Sequence, residues 1–180
     1  LEDLAQRLGL MQQTTQPTIS HPALIVFAGD HGLTRSGVAA FPASVTVSMV
    51  DSLLAGRASA NAIAKVVGAE VHVVDAGVAA DLTDRKSLIH RKVALGTNDA
   101  SIEAAMTMQQ AELALTHGAQ LASTLISKGA DIIALGEMGI GNSSSAALMI
   151  HRLTGVELDR CIGPGAGHSE DGMANKRAVL

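Results

Sequence analysis

Two unbroken apolar runs, each followed by a polar loop that contains glycine, constrain the fold of this 180-residue chain more than any other feature. The runs are "ALIVFAG" at 23–29 and "DIIALGE" at 131–137. An unbroken apolar run of this length is typical of a strand that is covered on both faces, as in a parallel sheet with helices on either side. We therefore expect both runs to be buried parallel strands.

Amphipathic helical patterns separate these runs from further strands, and this alternation predicts an α/β domain with a mostly parallel sheet and helices on both faces. The length suits one domain, so residues 1–180 are expected to form a single α/β domain. Two further strands are predicted at 70–77 and 87–94. Helices are predicted at 1–13, from Pro42 to about Gly56, at 59–68, at 107–128 with a break allowed near Gly118, and at 142–153.

Composition excludes several classes of function. Hydrophobic residues make up 47% and charged residues 17%, which excludes a disordered polar chain. The net charge is -4, and the only aromatic residues are Phe27 and Phe41, which argues against nucleic-acid binding. No apolar run reaches the roughly 18 residues that a membrane span needs, and the single cysteine, Cys161, excludes an internal disulfide. We expect a soluble, cytoplasmic protein.

The stretch "ALGEMGIGNSSSAA" at 134–147 has the pattern of a ligand site. Ligands of parallel sheets bind beyond the carboxyl ends of the strands. Gly139 and Gly141 let the backbone approach a ligand closely, Asn142 or Ser143 can cap the next helix, and the helix N-terminus can bind an anion such as phosphate. Glu137 suits a cationic or hydrogen-bond-donating part of the same ligand. The alternative is an ordinary strand–loop–helix junction.

A second glycine loop, "GPGAGHSEDGMANK" at 163–176, is a further candidate for phosphate binding. Gly165 and Gly167 supply a flexible backbone, and Lys176 follows in the next predicted helix as a point charge for a phosphate. The alternative is a flexible surface loop with a solvated lysine.

Acidic residues and a histidine at two strand ends leave another enzyme class open. Asp30 and His31 follow the first strand and Asp75 ends the second, and metal-dependent phosphohydrolases use such residues. The remaining histidines show no spacing typical of metal ligands. Asp75 also suits a ribose-binding acid, although the glycine fingerprint of dinucleotide sites is missing.

Taken in order along the chain, five stretches resemble those of the nicotinate-nucleotide–dimethylbenzimidazole phosphoribosyltransferases. They are "FAGDHGLTRSGVAAFPASVTVSMV", "EVHVVDAGVAA", "GTNDAS", "ALGEMGIGNSSSAA" and "GPGAGHSEDGMANK". The resemblance implies a Rossmann-like three-layer domain and transfer of phosphoribosyl from nicotinate mononucleotide to dimethylbenzimidazole. The products are α-ribazole phosphate, nicotinate and a proton, formed for cobalamin without a metal or an organic cofactor.

The resemblance also implies roles for individual residues. Glu137 is expected to be a supporting acid near the ribose and the reacting rings. The expected nucleotide and phosphate cradle comprises Gly139, Gly141, Asn142, Ser143, Gly165, Gly167 and Lys176. The expected base pocket comprises Asp30, His31, Phe41, Met49 and Met138.

The family's general base is a glutamate far toward the C-terminus, in a segment that this chain does not contain, and the chain starts after the family's Lys-Pro-Pro-Gly-Ser-Leu-Gly motif. We therefore expect a fragment that is truncated at both ends and lacks most of the small domain, whose full-length form is a homodimer. Two alternatives remain open from the residues: a metal-dependent phosphohydrolase and a nucleotide-binding module without turnover.

Overall fold

A four-stranded sheet forms the centre of the molecule. The computed structural model describes residues 1–180, and in it all three neighbouring strand pairs are parallel, in the order β3-β2-β1-β4. This confirms the predicted α/β class with a parallel sheet. The strands are β1 (Pro22–Gly29), β2 (Glu70–Gly77), β3 (Ile89–His90) and β4 (Ile132–Met138).

Helices cover both faces of the sheet, as the unbroken apolar run of β1 predicts. On one face Val26 packs in a buried cluster with Val50 and Leu53 of α2. On the other face Ile25 packs with Leu121 and Leu125 of α4. The helices are α1 (Glu2–Gln12), α2 (Val45–Leu54), α3 (Ser59–Val67), α4 (Met108–Ser127), α5 (Asn142–Thr154), α6 (Leu158–Cys161) and α7 (Glu170–Val179), with a 3-10 helix at Gly32–Ser36.

The sheet differs from the prediction at its two edges. The prediction that β4 is buried was wrong: it pairs only with β1, and Leu135 in its middle is 74% exposed. Its apolar character therefore did not reveal its edge position. β3 has two residues rather than eight, because only Ile89 and His90 pair with β2. By contrast, α4 continues through Gly118 without a break.

Strands β1, β2 and β4 end at the same edge of the sheet, and the loops that follow them meet there. The Asp30 N–H donates to the Gly77 carbonyl at 3.0 Å, which extends the pairing of β1 and β2 by one residue. The Thr97 N–H donates to the Asp30 carbonyl at 3.0 Å and brings the loop after β3 to this edge. No helix of the chain is both long and apolar enough to cross a membrane.

Candidate active site

Two cavities lie at the carboxyl edge of the sheet. The first, the acid cavity, is lined by Asp30, His31 and Glu137 together with apolar side chains such as Phe27 and Met106. The second, the lysine cavity, is lined by both glycine loops and their polar neighbours. Its lining includes Phe41, Met138, Gly139, Gly141, Asn142, Ser143, Gly165, His168 and Lys176. Each cavity measures about 190 Å³.

Glu137 lies at the end of β4, and both oxygens of its carboxylate have partners. Oε1 lies 3.2 Å from Nε2 of His31, and Oε2 accepts a hydrogen bond from the side-chain amide of Asn142. The expectation that Asn142 or Ser143 caps α5 was wrong. Gly141 occupies the N-cap position with φ 88°, and no side chain caps the helix. The Asn142 amide bonds Glu137 instead, because the carboxylate at the preceding strand end lies within its reach.

His31 has a second partner that the sequence did not predict. Its Nδ1 lies 2.9 Å from Oγ of Ser145, in the first turn of α5. Ser145 lines neither the acid cavity nor the lysine cavity, so its hydroxyl is not placed as a nucleophile. The two residues are 114 positions apart, and no local pattern connects them.

Gly139 leaves the space in which the acid and the imidazole meet. A Cβ atom there would lie 2.0 Å from the carbonyl oxygen of Gly29 and 2.9 Å from both Oε1 of Glu137 and Nε2 of His31. These distances are far inside van der Waals contact, so any other residue would displace the strand end or the pair. The requirement for glycine here is therefore steric, in addition to any contact with a ligand.

Lys176 of α7 is a buried cation without a counter-ion. Its side chain is fully buried, and Nζ donates to Oγ of Ser143 and to the carbonyl of Gly163, each at 2.9 Å. No carboxylate lies within ion-pair distance of it. Burial lowers the pKa of Lys176 below its ordinary value. Because an ammonium has three N–H donors and two are used, the third has no partner in the protein.

Gly165 holds the second glycine loop against this lysine. Its φ is +60°, and a Cβ there would lie 2.9 Å from Oγ of Ser143 and 3.8 Å from Nζ of Lys176. A side chain at position 165 would therefore be strained and would crowd the lysine cavity. The two glycine loops, distant in sequence, thus form one polar wall around one cation.

Asp30 lines the acid cavity and is itself nearly buried. It is 8% exposed; Oδ2 accepts the Ala79 N–H at 2.8 Å, whereas the buried Oδ1 has no hydrogen-bond partner. A buried carboxylate oxygen without a partner is costly.

The arrangement does not support the metal-dependent alternative. Asp75 is 1% exposed, its Oδ2 lies 3.1 Å from Nζ of Lys92, and its Oδ1 accepts the Val78 N–H. It does not line the acid cavity with Asp30 and His31. No group of three or more His, Cys, Asp or Glu side chains is arranged to hold a metal ion.

The residues predicted for the base pocket are divided in the structure. Asp30 and His31 line the acid cavity, whereas Phe41 and Met138 line the lysine cavity. The segment before α2 folds against the second glycine loop, where a Cβ on Gly167 would lie 4.0 Å from the Phe41 ring. Met49 is half-buried on α2 and lines neither cavity.

The fold and these two cavities define a class: α/β domains with cavities at the carboxyl edge of a parallel sheet, where ligands of such domains ordinarily bind. The family model described as phosphoribosyltransferase matches residues 1–180. The chain therefore belongs to this phosphoribosyltransferase family.

Named relatives and a solved structure agree with the family match. The chain is 46% identical over its full length to the nicotinate-nucleotide–dimethylbenzimidazole phosphoribosyltransferase of Dechloromonas aromatica, covering 52% of that protein. It is 44% identical to the enzyme of the same name from Cupriavidus necator, again covering 52%. The crystal structure of CobT from Thermus thermophilus matches 99% of this chain with a TM-score of 0.94 and 38% identity, over 54% of that chain. The chain thus spans about half the length of the relatives it matches.

Proposed function

We propose that the protein containing this chain transfers the phosphoribosyl group of nicotinate mononucleotide to dimethylbenzimidazole or a related base. The bond from the anomeric carbon to nicotinate breaks, and a bond to a ring nitrogen of the base forms. The products are α-ribazole phosphate, nicotinate and the proton lost from the base. The names of the relatives support this reaction.

The observation that carries the proposal is the hydrogen bond between Glu137 and Asn142. Glu137 lines the acid cavity and Asn142 lines the lysine cavity, so this bond lies where the two adjoin. The acid cavity also shares part of its lining, including Phe27 and Met106, with an apolar cavity of about 700 Å³. A nucleotide that spans the acid and lysine cavities would have its phosphate at Lys176 and its ribose beside Glu137.

In this arrangement the cradle of Gly139, Gly141, Asn142, Ser143, Gly165, Gly167 and Lys176 binds the phosphate and the adjoining nucleotide. Asp30 and His31 face the base. Phe41 and Met138 form an apolar wall on the phosphate side. Glu137 stabilises the positive charge that develops at the anomeric carbon as nicotinate leaves. We further expect the full-length protein to be a cytoplasmic homodimer.

The test is the release of nicotinate from nicotinate mononucleotide by the full-length protein, measured with and without dimethylbenzimidazole. Glu137→Gln should lower the base-dependent rate by about 100-fold, because it removes a preorganised charge and leaves the volume unchanged. Glu157→Gln, at an exposed position outside both cavities, is the matched control and should leave the rate unchanged. Tight binding of the nucleotide without release of nicotinate would instead support a binding module.

A further inference from the structure

Three hydrogen-bonded side chains lead from α5 to the acid cavity. Oγ of Ser145 lies 2.9 Å from Nδ1 of His31, and Nε2 of the same ring lies 3.2 Å from Oε1 of Glu137. Neither the sequence motifs nor the proposed reaction assigns a role to Ser145. The arrangement is continuous from the first turn of α5 to the acid that lines the acid cavity.

The chemistry of the partners fixes the direction of both hydrogen bonds. An ionised carboxylate accepts hydrogen bonds and cannot donate them, so Nε2 of His31 must carry the proton. In the neutral ring Nδ1 is then an acceptor, and the Ser145 hydroxyl must donate to it. Glu137 therefore selects the tautomer that presents an N–H to it, and the Ser145 hydroxyl holds the other side of the ring.

The backbone around the pair is built for the imidazole. Gly139 leaves the space between Glu137 and His31, as described above. Oγ1 of Thr34 donates to the carbonyl of His31 at 2.8 Å and fixes the backbone that carries the ring. The ring is 18% exposed, whereas the Glu137 side chain is 43% exposed and would be free to rotate without a partner.

We propose that Ser145 and His31 are positioning residues for Glu137: the serine holds the orientation of the imidazole, whose Nε2–H tautomer the carboxylate sets, and the imidazole holds the carboxylate toward the ligand. This inference rests on the proposed function for its effect on the rate. Its structural part, the tautomer, does not depend on that function. Asn142 fixes the second carboxylate oxygen, so the acid is held at both oxygens.

The first test measures the tautomer without any activity. The ¹⁵N shifts of the His31 ring are recorded at a pH where the ring is neutral and are assigned by their loss in His31→Gln. We expect a protonated Nε2 and an unprotonated Nδ1, and a shifted Nδ1 resonance in Ser145→Ala because Nδ1 loses its hydrogen-bond donor. A protonated Nδ1 in the unmodified protein, or an unchanged Nδ1 resonance in Ser145→Ala, would overturn the proposal.

The second test separates positioning from binding by kinetics of the full-length protein. Ser145→Ala should lower kcat about fivefold, the effect of one hydrogen bond between neutral groups, with KM for nicotinate mononucleotide changed less than about twofold. Ser145→Thr keeps the hydroxyl and should restore the rate. Ser123→Ala, an exposed serine on α4, is the control. An equal loss in the alanine and threonine variants would contradict the proposal.

His31→Gln gives a further discrimination, because the glutamine amide can place an N–H near the position of Nε2. It should keep more activity than His31→Ala, and equal losses would count against the proposal. A protein with the expected tautomer but no release of nicotinate would refute the proposed function alone. An active protein with the opposite tautomer would refute the positioning role alone.

Discussion

Replacement of Lys176 by methionine separates a ligand-binding lysine from a structural one. The buried ammonium makes two hydrogen bonds to neutral oxygens and has no carboxylate partner. Taking such a charge out of water costs several kcal/mol, which the two hydrogen bonds offset in part. Methionine has a similar shape and no charge to bury. We therefore expect Lys176→Met to be within about 1 kcal/mol of the unmodified protein in the free energy of unfolding, or more stable.

The same change should abolish most of the affinity for phosphate. A hydrogen bond between an ammonium and a phosphate oxygen contributes about 1.5–3 kcal/mol, which corresponds to a loss of about 10- to 150-fold in affinity. Calorimetry with inorganic phosphate measures the affinity, and urea denaturation measures the stability. Lys65→Met, at an exposed position of α3, is the matched control. A variant that loses about 3 kcal/mol of stability and still binds phosphate normally would refute the reasoning.

The lowered pKa of Lys176 gives the pH dependence of both quantities. Between that lowered pKa and the ordinary value of 10.5, the unfolded chain holds the lysine proton and the folded chain does not. The contribution of this group to stability therefore rises with pH across that window. Phosphate binding needs the ammonium, so affinity should fall over the same window. Lys176→Met should show neither trend from this group.

Two further predictions concern stability. Gly139→Ala should lower the free energy of unfolding by about 3 kcal/mol, because the added Cβ would lie 2.0 Å from a backbone carbonyl oxygen. Gly118→Ala, where the Cβ would have no atom within 4 Å, should raise it by up to about 1 kcal/mol. Equal free energies for the two variants in urea denaturation would contradict this. The pKa of Asp99 is lowered by hydrogen bonds from two serine hydroxyls, and this carboxylate should contribute about 1–3 kcal/mol to stability at pH 7. The contribution should be lost as pH falls below 3.8 and through the lowered pKa, so Asp99→Ala and the unmodified protein should become equally stable in acid. A difference in stability that stays constant with pH would contradict the assignment.

The central part of the fold was predictable because its signals are local. The run at 23–29 is apolar at nearly every position, and only a strand covered on both faces needs this. The run at 131–137 looks the same in sequence, yet β4 is an exposed edge strand. Hydrophobicity indicates that a strand forms, but the number of its neighbours depends on the arrangement of the whole sheet.

The residues that line the cavities were predictable where they belong to one local sequence motif, and not where two distant segments of the chain come into contact. The glycine loops and Lys176 were found because a lysine after glycines is a local pattern. The contact between His31 and Ser145 was not, since each residue by itself is an ordinary loop or helix residue. The predicted capping role of Asn142 was wrong because Gly141 occupies the N-cap position and the Asn142 amide bonds the Glu137 carboxylate.

The first turn of α5 keeps the acid and the cation of the site from pairing with each other. Asn142 bonds Glu137 and the adjacent Ser143 bonds Lys176, and both are neutral side chains. An ion pair between Glu137 and Lys176 would satisfy both charges and leave neither for a ligand. Nicotinate mononucleotide carries a cationic ring and an anionic phosphate, joined by ribose. Under the proposed function, Glu137 and Lys176, each bound by a neutral residue of the same helix turn, would meet these two charges of the substrate.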